Sequence, residues 1–335
     1  MEKDACEILN RVDYSVFEGK RILLTGASGL VGLNFLSFFS ELKKKSNSGL
    51  TLTGIINFEA NELIKNFSKN SSFELVRGDL TEPAFLRSLG KFDYIIHAAS
   101  YGQPGKFMSD PIKTLKLNTV TTFELFDHLD IGGKFLFIST SEVYSGNPDL
   151  PYAEHQIGTT NTTHPRSCYI EAKRCGEAIC NAYRSKGVNA SSARLALAYG
   201  PGTRVDDQRV LNLFIKRAYL ENQISLQDMG KAMRTYCYIS DALEIMVNIL
   251  VSGDAPIYNV GGVEKTTIAK LAQAVGSYLN VPVVFPESAF EMADAPQDVD
   301  LDMGLVAQQF KKTQFVSLSE GLKRTIDWQK HLYRT

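Results

Sequence analysis

The sequence predicts an α/β fold, a doubly wound parallel sheet that carries a smaller C-terminal lobe. Three features predict it. Short apolar runs recur with little polar alternation: ILLT, LTLTGIINF, FELVRGDL, FDYIIHAAS, KFLFISTS and NASSARLALAYGP. Helical patterns separate them, among them DPIKTLKLNTVTTFELFDHL and CYIEAKRCGEAICNAYRSKG. A glycine turn, TGASGLVG, joins the first run to the first amphipathic helix. Strands that stay apolar on both sides belong to a sheet covered on both faces, and the helices between them supply parallel crossovers.

Taken in order, residues 1–19 read as a helical lead-in and residues 20–197 as the sheet with its helices. After that the regularity falls off. GPGTRVDDQR is loop, whereas VLNLFIKRAYLEN and YISDALEIMVNILVSG are helices. IYNVGG supplies a late strand near 257–260 that can join the sheet, and TTIAKLAQAVGSYLN and SLSEGLKRTIDWQKHLY close the chain as helices. Residues 198–335 therefore read mainly as a lobe over the strand ends, where ligands of open α/β sheets bind.

Composition narrows the function. The chain has 335 residues, 44% hydrophobic and 22% charged, which describes a globular protein with ample core. A net charge of −1 provides no electrostatic footprint for nucleic acid. No apolar run reaches membrane-spanning length, and MEKDACEILNR is too charged for a secretory signal. Five cysteines without a CxxC pair point to reduced thiols in the cytoplasm. Cys168, Cys175 and Cys180 share one helix, where small core positions are expected for them. The five histidines lack ligand spacing, so no metal is expected.

The chemistry concentrates in three motifs. Gly26, Gly29 and Gly32 stand between strand and helix, where they permit a tight turn and the close approach of a pyrophosphate to free helix N–H groups. This is the dinucleotide signature of a Rossmann-type sheet. The second strand ends in GIINFEANE without the usual acid, leaving Asn57 as the nearest polar candidate and Glu59 two residues on. No arginine stands there for a 2′-phosphate, so NAD is preferred to NADP. In RSCYIEAKR, Tyr169 and Lys173 are four residues apart and share a helix face. A phenol titrates roughly three units above neutrality, so its use as a base requires about 4 kcal/mol of phenolate stabilisation. A lysine on the next turn and the positive nicotinamide ring are plausible sources. STSEVYSGNP follows a strand and brings Thr140, Ser141 and Glu142 to its C-terminal end.

TGASGLVG, GDL, HAAS, LNT, STSEVY, YIEAK, GPG and RTYCYISD, in that order, resemble the extended short-chain dehydrogenase/reductases that modify nucleotide sugars. The resemblance runs from about residue 20 to the C-terminus. DPIKTLKLNT, STSEVYSGNP and CYIEAKRCGE look most like the UDP-glucuronate decarboxylases (UDP-xylose synthases) within that family. It implies a Rossmann domain with a substrate-binding lobe, NAD, and a homodimer made as a four-helix bundle from the helices around 112–129 and 168–185. It implies that Tyr169 takes the proton of the sugar 4-hydroxyl beside Thr140, that Lys173 holds the nicotinamide ribose and lowers the tyrosine pKa, and that Asn118 supports the lysine. Cofactor contacts carry over to Gly26, Ser28, Gly29, Leu30, Val31, Gly32, Asp79, Leu80, Ala98, Ala99 and Ser100. Substrate contacts carry over to Ser141, Arg209 and Arg234.

Thr140–Ser141–Glu142 is the decarboxylase pattern in that resemblance, because a 4,6-dehydratase has an acid where Ser141 stands. Three features depart from it: the family's asparagine before GP is Leu197, an arginine near the C-terminus is Asp294, and the glucuronate loop HAASYGQPGKFM matches in length but not in residues. Lys106 or Arg204 would then have to meet a sugar carboxylate. A 4-epimerase or 4,6-dehydratase acting on a neutral sugar suits those departures, and a non-catalytic NAD-binding sensor is a third reading.

Overall fold

The computed structural model describes residues 1–333 apart from 47, 59–61, 68, 70–71 and 288–297. The apolar runs become strands β1 (Arg21–Thr25), β2 (Thr51–Ile56), β3 (Phe73–Arg77), β4 (Phe92–His97), β5 (Leu129–Thr140) and β6 (Asn189–Leu195). With the strand Ile257–Val260 they form one parallel sheet of seven strands, in the order β3, β2, β1, β4, β5, β6, Ile257–Val260. The chain runs outward from β1 to β3 and returns to place β4 on the other side of β1. That reversal opens a crevice at the C-terminal ends of β1 and β4. Ile22, Leu23 and Leu24 in succession are fully buried, as a strand covered on both faces requires.

Helices α1 (Glu2–Leu9), α2 (Leu30–Lys45), α3 (Glu62–Phe67), α4 (Pro83–Arg87), α5 (Pro104–Ser109), α6 (Pro111–Asn118), α7 (Val120–Phe126) and α8 (Ser167–Arg184) surround the sheet. α2 is packed tightly because Phe35, Phe38 and Phe39 are all buried, Phe39 meeting Phe17 edge-on at 5.4 Å. The C-terminal half of the chain adds α9 (Val210–Glu221), α10 (Ile239–Ser252), which packs on α2 and the sheet, α11 (Ile268–Leu279), α12 (Gly304–Phe310) and α13 (Leu318–Tyr333). Short two- and three-stranded ribbons link them, including Met233–Thr235 between Lys265–Thr267 and Asp298–Val299.

Two expectations need correction. The helix around 112–129 is two helices, α6 and α7, divided at Thr119, and β5 begins at Leu129. Thr119 and Thr122 donate their hydroxyls back to the carbonyls of Leu115 and Asn118, each at 2.8 Å, and such back-bonding bends a helix. Of the three α8 cysteines only Cys180 is buried. Cys168 is half-buried and Cys175 is exposed.

Residues 2–9 are anchored in the core rather than trailing from it. Asp4 is buried, accepts the Tyr238 hydroxyl at 2.9 Å, and pairs with Arg324 of α13 at 2.6 Å. The first and last helices are thereby clamped to the lobe. Asp4→Ala strands a buried hydroxyl and removes one acceptor from the guanidinium, so it is expected to cost about 2–3 kcal/mol. Urea denaturation reads this as a lower midpoint at unchanged slope; an unchanged midpoint would remove the clamp.

Candidate active site in the crevice

The phosphate end of the crevice is built by close approach. Gly26 has φ +68°, and a Cβ there would lie 2.7 Å from the Ala98 carbonyl oxygen. A Cβ on Gly32 would lie 2.3 Å from the carbonyl oxygen of Gly26, so only glycine lets the turn fold onto α2. α2 starts at Leu30 behind Gly29, with no side chain capping its amides. Ser28, Gly29, Leu30 and Val31 are partly exposed along this edge. This cradle fits a dinucleotide pyrophosphate.

The neighbouring strand end is fixed by His97. Its ring nitrogens meet the Thr25 hydroxyl at 2.8 Å and the Leu117 carbonyl at 2.9 Å, while Thr25 accepts the Ala99 N–H at 3.1 Å. Burial pushes the His97 pKa down to about 3, against the pull of the Leu117 carbonyl, so the ring is neutral. Ala98, Ala99 and Ser100 are thereby held against the glycine turn. Asn118 donates to Ser100 Oγ at 3.0 Å and to the Thr114 carbonyl at 2.7 Å, and its Oδ1 is buried with no hydrogen-bond partner. A buried amide oxygen left open beside the crevice is a second feature that fits a bound cofactor.

At the adenosine side, Asn57 is exposed just past β2, and Glu59 lies outside the described residues. Asp79 pairs with Lys113 at 2.5 Å and accepts from Thr81. Burial works against its charge, but those bonds hold its carboxyl below the usual range. Leu80 is buried, and its carbonyl accepts the Thr121 hydroxyl at 2.9 Å.

The residues expected to react meet where β5 ends. Thr140 closes β5, and Ser141 and Glu142 begin the next turn. α8 lies alongside, with Tyr169 and Lys173 both buried. The Thr140 hydroxyl accepts the Glu142 N–H at 3.3 Å and lies on the Tyr169 side of this turn. Lys173 Nζ donates to the Ile138 carbonyl at 2.6 Å and lies 4.8 Å from the Phe137 ring centroid. Burial, partly offset by Glu177, pushes Lys173 down to about 7. Burial first and Glu142 second push Tyr169 well above its ordinary value, whereas Thr140, Arg166 and Arg209 pull it down. The Lys173 ammonium points to a backbone oxygen, and Thr140 and two arginines favour the phenolate.

The cations expected at the substrate divide into three groups. Lys106 and Arg204 both pair with Asp206, at 2.8 and 3.0 Å, so neither is directed at a sugar carboxylate in this conformation. Arg209 forks onto Asp207, its closest contact 2.6 Å, and reaches the Ala198 carbonyl at 3.1 Å. Arg234, in the ribbon strand Met233–Thr235, has its pKa lowered by burial, and Arg166 adds repulsion. Asp294 lies outside the described residues. Leu197 has φ +42°, a left-handed conformation that asparagine adopts far more readily than leucine. Among the described residues no cluster of three or more His, Cys, Asp or Glu is placed to hold a metal ion.

Sequence reasoning missed Arg166 and Phe107. Arg166 pairs with Glu142 through two hydrogen bonds, Nε to Oε2 at 2.9 Å and a shorter one from Nη2 to Oε1. The Phe107 ring stacks on Tyr169 with centroids 4.5 Å apart and 3° between planes. The arginine stood three places before the tyrosine within RSCYIEAKR, and its charge could have been matched to the glutamate of STSEVY.

Lys173 makes stability depend on pH. Its folded pKa of about 7 lies below the reference 10.5, so between those values the unfolded chain binds the extra proton and stability rises with pH. Relative to Lys173→Met, the protein should gain up to about 1.4 kcal/mol per pH unit in that window, measured by denaturant titration. A constant difference would show that the amine keeps its charge. Leu197→Asn should raise the melting temperature by the equivalent of about 0.5–1 kcal/mol through relief of the left-handed backbone, and a lower value would mean that Leu197 packing outweighs it.

The pattern of the NAD dependent epimerase/dehydratase family matches residues 22–261. UDP-glucuronic acid decarboxylase 1 of Xenopus tropicalis is 32% identical over 318 residues, covering 92% of this chain and 72% of that protein. UDP-glucuronic acid decarboxylase 3 of Arabidopsis thaliana is 30% identical over 305 residues, covering 90% of this chain and 86% of its own length. Among solved structures, the UDP-glucuronic acid 4-epimerase of Bacillus cereus, in complex with UDP-glucuronic acid and NAD, superposes with TM-score 0.77 at 25% identity, covering 93% of this chain and 100% of that one. An epimerase from Methanothermobacter thermautotrophicus reaches TM-score 0.82 at 21% identity, over 97% of this chain and 95% of that one, and shares the fold. The chain therefore belongs to the NAD-dependent epimerase/dehydratase family.

Proposed function

We propose that the protein decarboxylates UDP-glucuronate through a 4-keto sugar. The observation that carries this reading is the grouping of Tyr169, Thr140 and Glu142 at one strand end, with Ser141 where a dehydration acid would have to stand. NAD, when bound, supplies the oxidant for C4 and returns the electrons at the end. Tyr169 takes the 4-hydroxyl proton, with Thr140 at the adjoining strand end to bond the same sugar oxygen. Oxidation at C4 makes the uronate a β-keto acid, whose C5–C6 bond breaks with its electron pair moving towards the ketone oxygen. Tyr169 and Thr140 are placed to hold that oxygen as charge gathers on it. CO2 leaves, and a proton returned to C5 restores the ketone. Gly26, Ser28, Gly29, Leu30, Val31 and Gly32 would seat the pyrophosphate of NAD. Asn57, Asp79 and Leu80 would flank the adenosine, and Ala98, Ala99, Ser100, Asn118 and Lys173 the nicotinamide half. Arg209 and Arg234 would face the sugar's diphosphate, with Ser141 beside the sugar and Lys106 reaching it only after leaving Asp206.

A cytoplasmic homodimer completes the reading. Ile112, Val120 and Phe123 on α6 and α7 are at least half exposed, and these helices lie beside α8. A second copy packed there as a four-helix bundle would cover them. Light scattering during gel filtration should give twice the chain mass, and Phe123→Glu should shift it to one chain.

Leu197 favours a second reading, in which C4 is inverted and no carboxyl is lost. Incubation of the protein and NAD with UDP-glucuronate decides between the two by mass spectrometry and NMR. Loss of one CO2, giving a UDP-pentose or its 4-keto form, supports decarboxylation. Unchanged mass with an inverted C4 supports epimerisation, and an untouched substrate overturns decarboxylation and leaves a neutral nucleotide hexose as the substrate to test. Tyr169→Phe should lower turnover by about 100-fold or more.

A further inference from the structure

Glu142 raises a problem for any reaction that begins at Tyr169. A carboxylate on the turn after Thr140 stands beside a phenol that must surrender its proton, and after burial it is the largest influence holding that proton on. Charges of one sign at close range in a part-buried cleft oppose each other strongly.

Arg166 answers that charge. It stands at the start of α8, three residues before Tyr169, and grips Glu142 through Nε and Nη2 together. Both side chains are about one-fifth exposed, at 21% and 22%, so water screens the pair only in part. Its guanidinium carbon lies 5.7 Å from the centre of the Phe107 ring, which stacks on Tyr169. The arginine, the carboxylate and the phenol are thus fixed to one another through a ring and a single helical turn.

We propose that Arg166 is a positioning residue for proton transfer: it holds and neutralises Glu142 beside Tyr169, so that a carboxylate can serve in the site without suppressing the phenolate. The other groups around Tyr169 do not duplicate this. Thr140 is neutral, and Phe107 on α5 carries no charge. Arg209 is held by Asp207. Lys173 is directed to the Ile138 carbonyl and lies 5.8 Å from the Tyr169 ring centroid. A lysine at 166 would keep the charge but could not grip both carboxylate oxygens.

The experiment is a titration of the NAD-loaded protein, following phenolate absorbance as the difference from Tyr169→Phe. It needs no substrate, so its outcome is separate from that of the decarboxylase assay. Arg166→Gln should move the Tyr169 ionisation up by about one pH unit or more, a tenfold smaller phenolate fraction at neutrality. Adding Glu142→Gln should return it close to the starting value, and Arg166→Lys should fall between. In any turnover assay that works, the alkaline shift should appear in the kcat profile and activity should recover as pH is raised. An unshifted ionisation in Arg166→Gln, or a shift that persists in the double variant, would overturn the proposal.

Discussion

The site depends on one contact, the Lys173 ammonium against the Ile138 carbonyl oxygen, 2.6 Å apart beneath the Phe137 ring. A helix carrying a tyrosine can rotate about its axis, and one residue of rotation would carry the phenol out of the crevice. The buried ammonium forbids that, because leaving the carbonyl would strand a polar group among apolar neighbours. The next turn repeats the constraint. Glu177 accepts the Ser139 hydroxyl at 2.5 Å. Lys173 and Glu177 therefore meet Ile138 and Ser139, and two successive residues of β5 fix two successive turns of α8.

That ladder ends on an ion pair, and the pair carries the order outward. Arg194 of β6 forks onto Glu177 at 2.9 and 2.7 Å, both residues buried. Its remaining nitrogen donates to the Glu154 and Gln156 carbonyls at 3.0 and 3.1 Å, pinning the loop before α8. The guanidinium also lies 4.7 Å from the Tyr144 ring centroid, and the Tyr144 hydroxyl donates to Asn259 at 2.7 Å on the seventh strand. A buried ion pair often adds little net stability, since desolvation offsets attraction. Here its consequence is geometric: the seventh strand is tied to the same network as α8.

Much of this was legible in the sequence because local rules govern it. The apolar runs became strands, TGASGLVG became a turn too tight for any side chain at Gly26 and Gly32, and Tyr169 and Lys173 came out on one buried face. Legibility failed where distant residues decide. Asp206 draws both Lys106 and Arg204, and nothing in GPGTRVDDQR says that a lysine from α5 will reach it. The break at Thr119 comes from hydroxyls bonding backwards inside an otherwise helical pattern. The ammonium of Lys173 turned to backbone rather than to the phenol, a choice set by packing between helix and sheet.

These pairings explain how the crevice can receive an anion. Glu142 is committed to Arg166, Asp207 to Arg209, and Asp206 to Lys106 and Arg204, so no carboxylate among them faces the cleft with its charge unbalanced. Arg234 donates to the Met233 carbonyl at 2.7 Å. Burial and the nearby Arg166 both act against its charge, although Tyr236 and Asp298 favour it. Arg166 thus faces two groups at once: it pairs with Glu142 and acts against the charge of Arg234.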